Sequence, residues 1–242
     1  MLWNLVLREL KSRYKSSMLG FLWSLLTPLF MAVIYVFFLR LLARGVALES
    51  IVIGVFAWQF TAQAVQEGLV SITSNANLVK KVFFPRFILP TATTLGNLVN
   101  YFFSLSVQFV LVAILLGMRG ETMCWTALLL PIVVLYHTMF LLSLAFFLSA
   151  ANVFFRDAQH LVGVLISAWF FASPAMYDLS MVQKVTENSP WIFDLYLLNP
   201  MAVIITAYRS LILPGENTNN NAFQRDPSRE QAQEKHINNR HE

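Results

Sequence analysis

Five apolar runs, each long enough to cross a bilayer, constrain this chain more than any other feature of its sequence. An α-helix rises about 1.5 Å per residue, so about 20 apolar residues cover a hydrocarbon core about 30 Å thick. The runs are Phe21 to Leu39, Ile51 to about Val70, Phe87 to Gly117, about Met123 to Ala151, and about Ala158 to Tyr177. The first carries Pro28, which a membrane helix tolerates as a kink when neighbouring groups satisfy the freed carbonyl. Composition agrees, with 57% hydrophobic and 12% charged residues, against about 45–50% and about 25% in soluble domains. The expected fold class is an all-α integral membrane protein.

The few charges report orientation. Arg8, Lys11, Arg13, Lys15, Lys80, Lys81, Arg86 and Arg156 fall on one side of the runs, and Arg40, Arg44, Arg119 and Lys184 on the other. Short loops rich in Lys and Arg stay in the cytoplasm, which puts the N-terminus there, although Arg40 and Arg44 oppose the bias. The net charge of +4 therefore marks orientation rather than a nucleic-acid surface. The single cysteine, Cys124, rules out an intramolecular disulfide and a multi-cysteine metal site. Charges throughout the first fifteen residues, followed by a full-length apolar run, argue against a cleavable signal peptide.

Beyond Tyr177 the pattern changes. Asp178 to Pro190 is polar, Trp191 to Pro200 is a short aromatic patch interrupted by Asp194, and Met201 to Leu213 is apolar apart from a few residues that include Arg209. Runs of about ten to fourteen residues more often re-enter or lie in the interface than span. Residues 1–215 are thus read as one domain. Residues 216–242, rich in Asn, Gln and charge, are expected to be a disordered tail.

Between the second and third runs, Asn77-Leu78-Val79-Lys80-Lys81-Val82-Phe83-Phe84-Pro85-Arg86-Phe87 must sit outside the lipid. A basic, aromatic loop at the inner face has the character of a docking surface for a cytoplasmic partner. The first residues predict an amphipathic interface helix, with Trp3, Leu7, Leu10 and Tyr14 on one stripe and Asn4, Arg8, Lys11 and Lys15 on another. A membrane anchor and a docking helix are both compatible with that pattern.

Two runs carry polar stripes: Gln59, Gln63, Gln66 and Glu67 in the second, and Asn97, Tyr101, Ser104 and Gln108 in the third. Polar groups in lipid are costly unless they meet a partner helix or water, so these faces point either to interhelical hydrogen bonds or to an aqueous path. The chain has no G-x-x-x-x-G-K-[ST] phosphate loop and no H-E-x-x-H motif, and His137, His160, His236 and His241 are scattered. His137 is expected to make a bundle hydrogen bond rather than to bind a metal.

The sequence resembles the permease subunit of a type-2 ATP-binding cassette exporter, in the branch that exports lipid-linked polysaccharides such as O-antigen, capsule and teichoic acid. Four stretches carry the resemblance: Arg8 to Lys15 with Leu19-Gly20 and Trp23 to Pro28; Asn77 to Lys81 with Pro85-Arg86 and Pro90; Asn152 to Asp157; and Ser173-Pro174 with Asn199-Pro200. It implies a homodimer of permeases bound to separate ATPase subunits in a bacterial inner membrane. ATP and magnesium would be held by the ATPase, with no cofactor and no catalytic or metal site in this chain. Arg8, Lys11, Arg13, Lys15, Asn77, Lys80, Lys81, Arg86, Arg156 and Asp157 would couple to the ATPase. Gln59, Gln63, Gln66, Asn97, Tyr101, Ser104 and Gln108 would line the substrate path. The resemblance departs after Tyr208-Arg209-Ser210, where a sixth span is expected and Pro214-Gly215 stands instead. A drug or small-lipid exporter of the same family is the nearest alternative. A membrane-bound glycan-modifying enzyme would need carboxylates or histidines gathered at one membrane face, which the sequence does not supply, and the polar stripes argue against a bare structural anchor.

Overall fold

A computed structural model describes residues 47–81, 85–155, 157–187 and 189–214, together with scattered positions between 2 and 37. The elements are α1 (Leu48–Val70), α2 (Ala76–Lys81), α3 (Ile88–Gly117), a 3₁₀ turn (Trp125–Leu129) leading into α4 (Leu130–Phe154), α5 (Ala158–Ala172), α6 (Leu179–Val185), α7 (Pro190–Leu197) and α8 (Pro200–Ile212). Among the described residues the regular structure is entirely helical. Nine of the nineteen residues of the first apolar run, and the tail from residue 216, lie outside the described residues.

Three helical stretches are long and apolar enough to span: Leu48–Val70, Ile88–Gly117 and Trp125–Phe154. They match the second, third and fourth runs. The fifth run is helical only over Ala158–Ala172, fifteen residues or about 22 Å, which is shorter than the expected span to Tyr177. Ser173 precedes Pro174 and is extended, at φ −108° and ψ 145°, because the proline ring disfavours helical geometry in the residue before it.

Helix α1 forms the hub, packing on α3, α4, α5 and α8. Its apolar residues therefore go all round rather than along one stripe, as expected of a helix enclosed by others. Gly68 permits a close approach to α4, since a Cβ there would lie 2.8 Å from that of Ala145. Phe60 of α1 stacks on Tyr101 of α3 with ring centroids 4.3 Å apart, and His137 of α4 meets the Phe60 ring edge-on at 5.0 Å.

The last elements turn back within the bundle. Ser50 donates to Asp178 at 2.5 Å, and the Cys124 amide donates to the Ile212 carbonyl at 3.1 Å. The two ends of the segment from Asp178 to Ile212 thus lie beside the start of α1 and the start of the 3₁₀ turn. Its midpoint sits deeper, where Asn199 Nδ2 donates to Ala172 O at 2.9 Å and the Met201 sulfur accepts from Thr61. Asn199 caps α8 by accepting from the Met201 amide at 3.0 Å, and Pro200 fills the first helical position. Helices α7 and α8 meet at 81°.

Candidate functional site

Described polar residues gather in three places: the end of the bundle that carries Lys80, its middle, and the opposite end that carries Arg209.

At the Lys80 end, the turn Ser71–Asn75 joins three segments separated in sequence. Arg8 Nη2 donates to Asn75 Oδ1 at 2.8 Å, and Asn152 Nδ2 donates to Leu69 O and Thr73 Oγ1, each at 3.1 Å. The N-terminal segment, the first loop and the end of α4 are therefore tied to one another directly. Asn77, Lys80, Lys81, Arg86 and Asp157 are exposed there, and none of them makes an ion pair or side-chain hydrogen bond with another described residue. No acidic residue occurs from Gly68 to Gly120, so nothing local in sequence neutralises these cations. Lys11, Arg13, Lys15 and Arg156 lie outside the described residues.

In the middle, the two polar stripes part company. The incompletely covered positions over the second half of α1 are Gln59, Ala62, Gln63, Gln66, Glu67 and Val70. Their spacing of three and one puts them on one helix face, so the glutamines occupy the open side of the hub. Gln63 Nε2 donates to Glu67 Oε1 at 3.3 Å. Asn97, Tyr101 and Gln108 of α3 are instead buried, and Ser104 is partly so. The structure does not bring all seven expected path residues onto one surface: ring stacking on Phe60 turns Tyr101, and with it the stripe, toward the hub. Both amide atoms of Asn97, and Oε1 of Gln108, have no hydrogen-bond partner among the described residues.

Next to that stripe lies a polar cluster the sequence reading did not assemble. Thr61 Oγ1 and His137 Nε2 are 2.9 Å apart, and His137 Nδ1 and the Tyr208 hydroxyl 3.4 Å apart. His137 thus makes the bundle hydrogen bonds expected of it. Thr61 and Tyr208 gave no signal of their own, since Thr61 lies off the glutamine stripe and Tyr208 stands beside Arg209 in a short run.

At the opposite end Arg209 and Arg119 are held by the fold. Arg209 is 1% exposed. Its Nε donates to Ser50 O at 3.0 Å, Nη1 to Tyr177 O at 2.9 Å and Nη2 to Ala175 O at 3.3 Å, with Asp178 Oδ1 3.5 Å from Nη1. The guanidinium fork suits such multiple recognition because its donors are rigidly arranged. Gly54 leaves room for it, since a Cβ there would lie 2.8 Å from Arg209 Nη2. Arg119 pairs with the buried carboxylate of Glu49. The sequence reading saw Arg209 as an obstacle to spanning and missed it as an anchor.

Comparison with known proteins gives this arrangement its family. The ABC-2 type transporter family matches residues 1–213. The chain belongs to that family. Among its relatives, the O-antigen export system permease protein RfbA of Myxococcus xanthus is 37% identical over 212 residues, covering 86% of this chain and 78% of the relative. Two proteins of the same name from Klebsiella pneumoniae are each 31% identical, with the same coverage. The ABC-2 protein is thus a multi-pass transport subunit, and its polar ends and middle can be read in those terms.

Proposed function

We propose that this chain is the permease subunit of an exporter that moves a lipid-linked polysaccharide of the O-antigen type across a bacterial inner membrane. The observation that carries this reading is the 37% identity, over 86% of the chain, to a relative named as an O-antigen export permease. The N-terminus is cytoplasmic, two copies pair, and a separate ATPase supplies the energy with its own ATP and magnesium.

In this reading Asn77, Lys80, Lys81, Arg86 and Asp157, with Arg8 and the basic residues near it, form the ATPase-facing surface. ATPase movement there would reach α1 and α4 through the turn Ser71–Asn75, because Asn152 and Arg8 are bonded to that turn or its flank. The glutamine face of α1 lines the path between copies. Asn97 and Oε1 of Gln108, buried without a hydrogen-bond partner among the described residues, are groups that water or a rearranged bundle would satisfy, since an unmet buried polar atom costs about 1–3 kcal/mol.

The test is complementation. A strain lacking its own O-antigen permease, supplied with this chain and the ATPase subunit of an O-antigen exporter, should regain surface polysaccharide on a lipopolysaccharide gel. Wild-type chain present in the membrane with no polysaccharide at the surface would overturn the reading.

A further inference from the structure

Asn97 and Gln108 of α3 are each 1% exposed, yet both amide atoms of Asn97 and Oε1 of Gln108 have no hydrogen-bond partner among the described residues. Buried polar groups are nearly always bonded, so two unmet amides on one helix face call for a physical cause. Their position on the helix supplies one. An α-helix turns about 100° per residue, which puts Ser104 about 20° round from Asn97 and about 40° from Gln108 on the same side. Ser104 is only partly buried. The unmet amides therefore sit just inside the edge of the packed face, while the buried Leu105 and Leu116 lie about 80° and about 100° from Asn97 in the other direction.

The way α3 is held differs from the way its neighbours are held. Helices α1, α4 and α8 are tied together by side-chain hydrogen bonds: Asn152 to Leu69 O, Thr61 with His137, His137 with Tyr208, and Arg209 to Ser50 O. On α3 the hydroxyls of Thr91, Thr94 and Ser106 are spent on carbonyls four residues earlier. Toward the bonded unit α3 presents the Tyr101 ring, stacked on Phe60, and Leu105, Val112 and Leu116 in the apolar core. Apolar contact is non-directional, so it tolerates a change of rotation that a hydrogen bond would not. Arg119, two residues beyond α3, pairs with Glu49 at the start of α1 and fixes the outer end along its axis.

We infer that α3 is the moving span: it rolls about its own axis by about 40°, the arc from Gln108 to Ser104, against the bonded unit of α1, α4 and α8. The roll carries Asn97 and Gln108 to the edge where Ser104 lies, and there water in the path meets their amides. Leu105 and Leu116 move toward the centre of the packed face and stay buried. One setting completes the ring stack on Phe60 and the other satisfies the amides, so neither is favoured on every count. Helix α3 starts directly after Pro85-Arg86-Phe87, which places its inner end at the ATPase-facing surface of the permease reading. The roll rests on that reading, and it makes Asn97 and Gln108 path residues only while the exporter is turning over.

The experiment uses the full chain with its ATPase subunit in lipid nanodiscs and measures the rate at which a charged methanethiosulfonate reagent labels single cysteines in a Cys124→Ser background. Asn97→Cys and Gln108→Cys should react at least fivefold faster during ATP turnover than without nucleotide, while Leu116→Cys stays slow in both states. Equal rates in the two states at positions 97 and 108, or an equal gain at position 116, overturn the roll. A second measurement needs no ATPase. Asn97→Leu, of similar volume, should raise the melting temperature of the chain alone by about 2–4 °C, because it removes an unmet buried amide. A lowered melting temperature would mean that bound water or another group satisfies Asn97 at rest, and that too overturns the roll. Complementation by the wild-type chain with unchanged labelling removes the roll and keeps the permease reading; failed complementation removes both.

Discussion

Two basic sites at opposite ends of the bundle are used in opposite ways. At one, Lys80, Lys81 and Arg86 are exposed and make no ion pair with a described residue; at the other, Arg209 is buried under three carbonyls and Asp178. An exposed, solvated cation stabilises a fold very little, whereas a buried one is tolerated only when its donors are met. The first kind is available to a partner, and the second is committed to holding α8 against α1. A similar sequence feature, a basic residue bordering or within an apolar run, thus serves interaction at one end and folding at the other.

The contrast breaks most readily at Arg209. Arg209→Met should destabilise the protein by about 3–5 kcal/mol, the range for removing one partner of a buried charged network, with the chain melting or aggregating in detergent. Near-wild-type melting would mean that α8 is held by its apolar face alone. Gly54→Ala should cost about 1–3 kcal/mol, as overpacking does, because its methyl would press on Arg209 and Ala175. A neutral result in the same thermal assay would show the loop after α5 to be compliant.

At the Lys80 end the effects on stability should be smaller and those on coupling larger. Asn152→Ala removes hydrogen bonds to Leu69 and Thr73 and should cost about 1 kcal/mol. Lys80→Glu with Lys81→Glu should change stability by no more than about 0.5 kcal/mol, yet abolish permease-dependent ATP hydrolysis in the purified complex. Unchanged binding and turnover would remove the docking role. The least effect on stability is expected from single cysteines in a Cys124→Ser background. Gln63→Cys should react with a charged thiol reagent, while Val112→Cys, fully buried, should not; equal reactivity would erase the distinction between the open face of α1 and the packed face of α3.

Much of this was legible beforehand. The second, third and fourth apolar runs appear as Leu48–Val70, Ile88–Gly117 and Trp125–Phe154, because a bilayer-length run leaves a chain few choices other than a helix. The end of α5 was misjudged: apolar character continues to Tyr177, but the backbone restriction imposed by Pro174 acts earlier than any loss of hydrophobicity. The two polar stripes take different positions in the bundle. Periodicity fixes which residues share one helix face, yet it gives no rotation of that helix against its neighbours, and Asn97, Tyr101 and Gln108 went inward while the glutamines of α1 stayed at the open side.

The sequence by itself determined the solvent of this protein, the lengths of its central helices and the segments that must lie outside lipid, because these follow from local transfer energies and helix rise summed along the chain. Tertiary structure alone decided that Arg8, the first loop and Asn152 meet at one turn, that Thr61, His137 and Tyr208 converge, and that Arg209 closes the far end. Those pairings join residues 67 to 159 positions apart. Such contacts depend on how helices rotate and stack, which is set by complementary side-chain shape and hydrogen bonding across elements rather than by any property of a single run.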